Sequence, residues 1–137
     1  MKPINTSQSL LTRLWNRQIP IMPQQIIDII DDIELVFDEM DDFKFDFQKQ
    51  KYIFTINKNE HPNKQRFTIA KLLAWYMLGT KDEKLVNDFI DELLMPSGVL
   101  SHLVLKQNIT SVNILAEKLW VTNLQILMKL KKVGLIS

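Results

Sequence analysis

Few side chains in this 137-residue chain could make or break covalent bonds. Cysteine is absent and histidine occurs twice, at His61 and His102. Disulfides, thiolate metal centres and cysteine nucleophiles are therefore excluded, and a histidine-based metal site is short of ligands. Serine and threonine hydroxyls are present, but neither histidine lies in a motif that would pair it with one as a general base. Gly79, Gly98 and Gly134 are isolated from one another, so neither a phosphate-cradling loop nor a dinucleotide-binding fingerprint can be written.

What remains is charge. The net value of +1, from 17 Lys+Arg against 16 Asp+Glu, conceals a polarised chain. Between Asp28 and Asp46 there are nine acids against the single Lys44, a net charge of −8. From Ser97 onward there are five lysines against Glu117, a net charge of +4. Two readings of the acidic run stay open. It is either the solvated side of a helix and a strand, or a negative face that steers a basic partner, with Asp38, Glu39, Asp41 and Asp42 as its candidate contacts.

The elements that must position these groups follow from hydrophobic periodicity. Asn5, Thr6 and Ser7 are candidate caps for a first amphipathic helix through Leu10, Leu11, Leu14 and Trp15, ending near Arg17 before Pro20 and Pro23. Ile26, Ile27, Ile29 and Ile30 predict a short helix. Alternation over Ile33 to Phe37 and Phe43 to Phe47, with the aromatic and β-branched run Tyr52 to Ile56, predicts about three strands; Gln48 to Lys51 would turn a hairpin. Everything after Pro62 reads as helix. A helix from Lys64 to Leu78, with Phe67, Ala70, Ala74, Met77 and Leu78 on one side, closes at Gly79. Asp82 caps the next, which buries Val86, Phe89, Ile90, Leu93 and Leu94 until Pro96 stops it. A short helix over Ser97 to Leu105 precedes a pair at Val112 to Leu119 and Asn123 to Lys132. The expected architecture is one α+β domain over residues 1–137: an N-terminal helix to residue 22, a core over 23–96 with a small antiparallel sheet, and a C-terminal helical segment over 97–137. With no signal-peptide pattern and no apolar run near the roughly 20 residues of a membrane span, a cytoplasmic protein without membrane contact is expected.

Two stretches taken together resemble a known family. Arg66-Phe67-Thr68-Ile69-Ala70, followed by Val86-Asn87-Asp88-Phe89 and Glu92-Leu93-Leu94-Met95-Pro96, look like the signature of the ImmA/IrrE family of small metallopeptidases. The resemblance implies a zincin-like core. In that family the first segment leads into H-E-x-x-H, whose histidines at i and i+4 hold zinc from one helical face while the glutamate activates the bound water. The aligned residues here are Lys71, Leu72, Leu73, Ala74 and Trp75, which offer no zinc ligand and no general base. Glu83 is similar in position to the family's acidic third ligand. A replacement site from His61, Glu83 and His102 is disfavoured, because isolated histidines seldom converge. No metal and no other cofactor is therefore expected. The degenerate positions have two readings. Lys71 and Glu83 pair in place of the lost metal while Trp75 fills the pocket, or Glu83 stays hydrated in the first turn of its helix and Lys71 points to solvent.

The C-terminal pair also has helix-turn-helix spacing, with Thr122 as a cap and Lys129, Lys131 and Lys132 as candidate phosphate contacts. The scarcity of base-reading side chains, Asn123 and Gln125 alone, favours a structural pair over DNA binding. The resemblance implies a pseudo-peptidase acting by protein contacts, since family members are commonly encoded on prophages and other mobile elements beside a helix-turn-helix repressor. The alternatives are an inhibitor of a host defence or nucleic-acid-processing complex, such as an anti-CRISPR protein, acting through its acidic face, and a small DNA-binding regulator.

Overall fold

A computed structural model describes Leu10, Leu11 and residues 13–136. The expected caps Asn5, Thr6 and Ser7 lie outside the described residues. The first helix ends at Leu14, short of the expected Arg17, where Trp15 N–H closes the last turn on the Leu11 carbonyl. Six α-helices of defined extent follow: α1 (Pro23–Ile27), α2 (Pro62–Leu78), α3 (Glu83–Leu94), α4 (Ser97–Ser101), α5 (Val112–Leu119) and α6 (Asn123–Lys132). The strands are β1 (Ile33–Asp38), β2 (Asp42–Asp46) and β3 (Lys51–Asn57). Most of the helix thus follows the sheet, as an α+β reading requires.

The sheet is mixed rather than antiparallel throughout. Its order is β1-β3-β2, with β1 parallel to β3 and β2 antiparallel to it. The sequence of β3 explains its central place: Ile53, Phe54, Thr55 and Ile56 are all buried, whereas β2 alternates phenylalanines with charges and β1 carries Glu34 and Asp38. A strand buried on both faces belongs between two neighbours, and charged side chains blunt the two exposed edges. Residues 39–41 carry the chain from β1 to β2 across the end of β3, a step of about 10 Å at the usual strand spacing. Asp41 fastens that crossing, its carboxylate accepting the Asn57 N–H at 2.7 Å, and the Lys58 N–H donates to the Asp38 carbonyl at 2.8 Å.

Register fixes the two faces. Leu35, Phe54 and Phe43 stand opposite one another on the face that meets α2, while Glu34, Ile53 and Lys44 share the outer face. Phe43 makes an edge contact with Trp75 at 5.7 Å between ring centroids, and Tyr52 another with Tyr76 at 5.1 Å. These contacts seat the C-terminal half of α2 on the sheet.

α2 starts two residues before the expected Lys64, because Pro62 suits a first helical turn and the His61 ring accepts the Asn63 N–H. It closes at Gly79 in the left-handed conformation, φ 65°. Its buried residues include Arg66, Ile69, Ala70, Leu72, Leu73 and Ala74, so the helix is enclosed on more than one side. Phe67, expected on the buried stripe, is 39% exposed. The Asp82 carboxylate caps α3 by accepting the Leu85 N–H, and the buried face of α3 is the expected one. α4 widens into a π-helical turn over His102–Lys106. α5 ends at Trp120 with φ 61°, and Thr122 with Gln125 forms a reciprocal capping box at the start of α6.

Candidate functional site

At the positions aligned with the metallopeptidase motif, the structure places an aromatic cluster capped by two cations. Trp75 is half-buried, with the Lys71 ammonium 5.3 Å and the Lys81 ammonium 4.5 Å from its ring. Both distances fall within cation–π range. Phe43, Tyr52, Trp75, Tyr76 and Lys81 border a cavity of about 340 Å³ between the β2–β3 face and the end of α2. Burial, with Asp32 and Tyr52 alongside, pushes the Tyr76 phenol above its usual range. Leu72 is in the core at 2% exposure. Glu83 is exposed in the first turn of α3, and no ion pair within 4 Å joins it to Lys71. Of the two readings of these positions, the ion pair is thus not formed, and Lys71 lies over Trp75 instead of pointing freely to solvent.

The histidines stand apart. His61 is the N-cap of α2, and His102 Nε2 lies 3.2 Å from Gln107 Nε2 at the π-helical turn. Among the described residues, no three His, Asp or Glu side chains gather as a metal-holding group.

The acidic run divides between the two ends of the sheet. Asp28, Asp31 and Asp32 precede β1 and Asp46 closes β2, whereas Asp38, Glu39, Asp41 and Asp42 surround the crossing at the opposite end, a strand length of about 17 Å away. The latter four are all exposed, with Met40 among them at 65% exposure. Their charges are partly occupied. Glu39 meets Lys58 at 3.3 Å and accepts from the Asn59 amide at 3.0 Å, and Asp38 and Asp42 each accept the N–H of the following residue. Asp41 is a structural acceptor for Asn57. At the other end, Glu34 is paired with Lys49 at 3.1 Å.

The basic segment changes most from its sequence reading. Lys129 is buried, and its ammonium meets the Glu92 carboxylate at 2.7 Å with both side chains at most 2% exposed. It cannot reach a phosphate. Lys132 meets Asp88 at 3.2 Å, and Lys131 is exposed. Asp88 also accepts from Lys84 at 3.1 Å; burial alone would raise its carboxyl, and the two lysines more than offset that, holding it below the usual range. Leu124, Leu127 and Met128 leave an apolar rather than a base-reading surface on α6.

Two buried charged groups were not singled out from sequence. Glu92 receives Lys129 Nζ, the Ser97 hydroxyl at 2.7 Å and the Ser97 N–H at 3.1 Å, which ties α3, α4 and α6 together. Burial tends to raise its carboxyl, and the Lys129 and Ser97 hydrogen bonds prevail, holding it below the usual range. Arg66 donates from Nε to the Ile21 carbonyl and from Nη1 to the Trp120 carbonyl, both at 2.9 Å, so it joins the segment before α1 to the α5–α6 turn. The usable signal was helical arithmetic: Lys129 lies three residues after Ile126, Glu92 three after Phe89, and Arg66 three before Ile69, inside apolar stripes.

Comparison with known proteins finds no family model that matches this chain and no curated protein that matches it.

Proposed function

We propose that this chain is a non-catalytic, regulatory protein-binding module of the ImmA/IrrE type, acting through the acidic end of its sheet on a basic protein surface. The observation that carries the reading is the exposed group Asp38, Glu39 and Asp42 around Met40, on a crossing anchored by Asp41. An apolar residue ringed by carboxylates matches the centre-and-rim arrangement of protein interfaces. The substitution of the motif positions by Lys71, Leu72 and Trp75 supports a pseudo-peptidase, because the metal-bound water is the chemistry of such enzymes. The first partner to test is a helix-turn-helix repressor of a prophage or mobile element. A host defence or nucleic-acid-processing complex is the other candidate for the same surface. Direct DNA binding is not favoured, since Lys129 is buried and Lys132 is paired.

The test is binding to a candidate repressor, identified by pull-down from the native host, using wild type and the triple variant Asp38→Asn, Glu39→Gln, Asp42→Asn. These isosteres keep the acceptor oxygens and leave Asp41 untouched. About tenfold weaker binding at low salt, converging with wild type at high salt, is expected for an electrostatically steered contact. Equal retention of both proteins across the salt range would sink the proposal.

A further inference from the structure

Lys71 and Lys81 bring two ammoniums to one indole, 5.3 and 4.5 Å from the Trp75 ring, and neither has a carboxylate within 4 Å among the described residues. Like charges repel, so a ring that gathers two of them is a place that attracts cations. The surroundings supply that attraction. The cavity of about 340 Å³ beside Trp75 is walled by the half-buried rings of Phe43, Tyr52, Trp75 and Tyr76. Phe43 stands at 89° to Trp75 and Tyr52 at 84° to Tyr76, so the rings make corners rather than a flat wall. The closing carbonyls of α2 give the Gly79 corner negative partial charge, and the Asp32 carboxylate stands beside the Tyr76 phenol.

What the cavity lacks narrows the kind of cation. No carboxylate borders it. Its side-chain oxygens are the Tyr52 and Tyr76 phenols and the Thr80 hydroxyl, and Thr80 already accepts the Asp82 N–H. A primary ammonium needs acceptors for three N–H donors, which Lys81, exposed on the loop between α2 and α3, finds in water at the rim. A quaternary ammonium has no N–H to satisfy and packs its methyl groups on ring faces.

We propose that this cavity binds a quaternary ammonium group between Phe43, Tyr52, Trp75 and Tyr76, with Lys81 as its resident competitor. Lys81 has no carboxylate to hold it in place and swings out as the ligand enters, so the number of cations at Trp75 is unchanged. The group can come from a free small molecule or from a trimethylated lysine of a protein. The inference rests on the cavity itself and uses neither the acidic end of the sheet nor the family resemblance.

The full chain is labelled with 5-fluorotryptophan, and the Trp75 resonance is assigned by difference with Trp15→Phe and Trp120→Phe. Choline, its uncharged tert-butyl analogue, ethanolamine, benzoate, and blocked peptides carrying lysine or trimethyllysine are titrated at constant ionic strength. Choline should shift Trp75 saturably and half-saturate at least tenfold below the analogue, ethanolamine and benzoate. A trimethyllysine peptide that saturates at least tenfold below its lysine counterpart extends the site to methylated proteins; any smaller difference assigns it to free quaternary ammonium compounds. Lys81→Ala, at an exposed loop position, should bind choline at least threefold more tightly than Lys106→Ala, which removes a charge at the π-helical turn. A Trp75 resonance that choline does not move or does not saturate, a margin under tenfold over any of the three small controls, or a Lys81→Ala gain below threefold would overturn the proposal.

Discussion

Replacing Lys129 by methionine should destabilise the protein severely, in a manner that depends on pH. The substitution keeps the length and apolar stem of the side chain and removes only the ammonium, so that buried Glu92 loses its lysine while still accepting from the Ser97 hydroxyl and N–H. Breaking a buried pair by removing one member typically costs about 3–5 kcal/mol. That is a large part of the roughly 5–15 kcal/mol that holds a domain of this kind together. With a urea m-value of about 1.5–2 kcal/mol/M, the unfolding midpoint at pH 7 should fall by about 2 M. In the wild type, Glu92 is held below its ordinary value near 4.5, so the pair's contribution is present above that pH and is lost as the pH falls through the folded value. Without Lys129 the burial effect prevails and the carboxyl shifts upward, so acidification relieves the variant. The gap between variant and wild type should therefore be widest near neutral pH and close toward pH 4. The double variant Glu92→Gln, Lys129→Met, which removes both charges and keeps an acceptor for Ser97, should recover to within about 1 kcal/mol of wild type. Urea titrations followed by circular dichroism at several pH values give all three quantities. A pH 7 deficit under about 1 kcal/mol, or a deficit constant from pH 7 to 4, would refute the assignment of Glu92 as a buried, lysine-dependent carboxylate.

Asp91 offers the opposite sign: burial raises its carboxyl, Lys132 and Lys129 lower it, and Asp88 and Glu92 add to the upward shift, which prevails. An acid raised in the folded state costs stability at neutral pH and ceases to do so as the pH falls through its folded value; Asp91→Asn should therefore raise the urea midpoint at pH 7, with the advantage vanishing in acid, and a lowered midpoint at pH 7 would contradict this. Gln50 occupies the left-handed region at φ 55° in the exposed β2–β3 turn. Gln50→Gly should stabilise the hairpin by about 0.5–1 kcal/mol, less whatever the Gln50 amide gains from the Phe47 carbonyl; thermal melts that show no gain would mean that this hydrogen bond outweighs the strain.

Local signals made the helices legible. Asp82, Gly79 and Thr122 all sit at helix ends where their side chains or backbone freedom would place them, and the C-terminal pair has its expected bounds. The strands were legible for the same reason, but their order was not. Period-two alternation reports which residues share a face and carries nothing about which strands are neighbours. The clue lay in β3, whose aromatic and β-branched run from Tyr52 to Ile56 puts residues suited to burial on both faces. Lys129 was misplaced for a related reason. Charge was counted along the chain, whereas burial is decided around the helix, where residue 129 falls beside Ile126 and Leu130. The acidic run had the same defect, because a strand carries its two ends apart however dense the charge is along the sequence.

The position of β3 between the other two strands also dictates an order of assembly. The β2–β3 hairpin pairs across residues 47–50 and closes a short loop, which is the fast kind of contact. Each β1 residue instead meets a β3 residue nineteen positions later, and β1 shares no ladder with β2, which follows it in the chain. A growing polypeptide therefore exposes β1 first and gives it a partner last. Until Asn57 has been made, the strand that opens the sheet has nothing to join, and its Glu34 and Asp38 keep it in water while it waits.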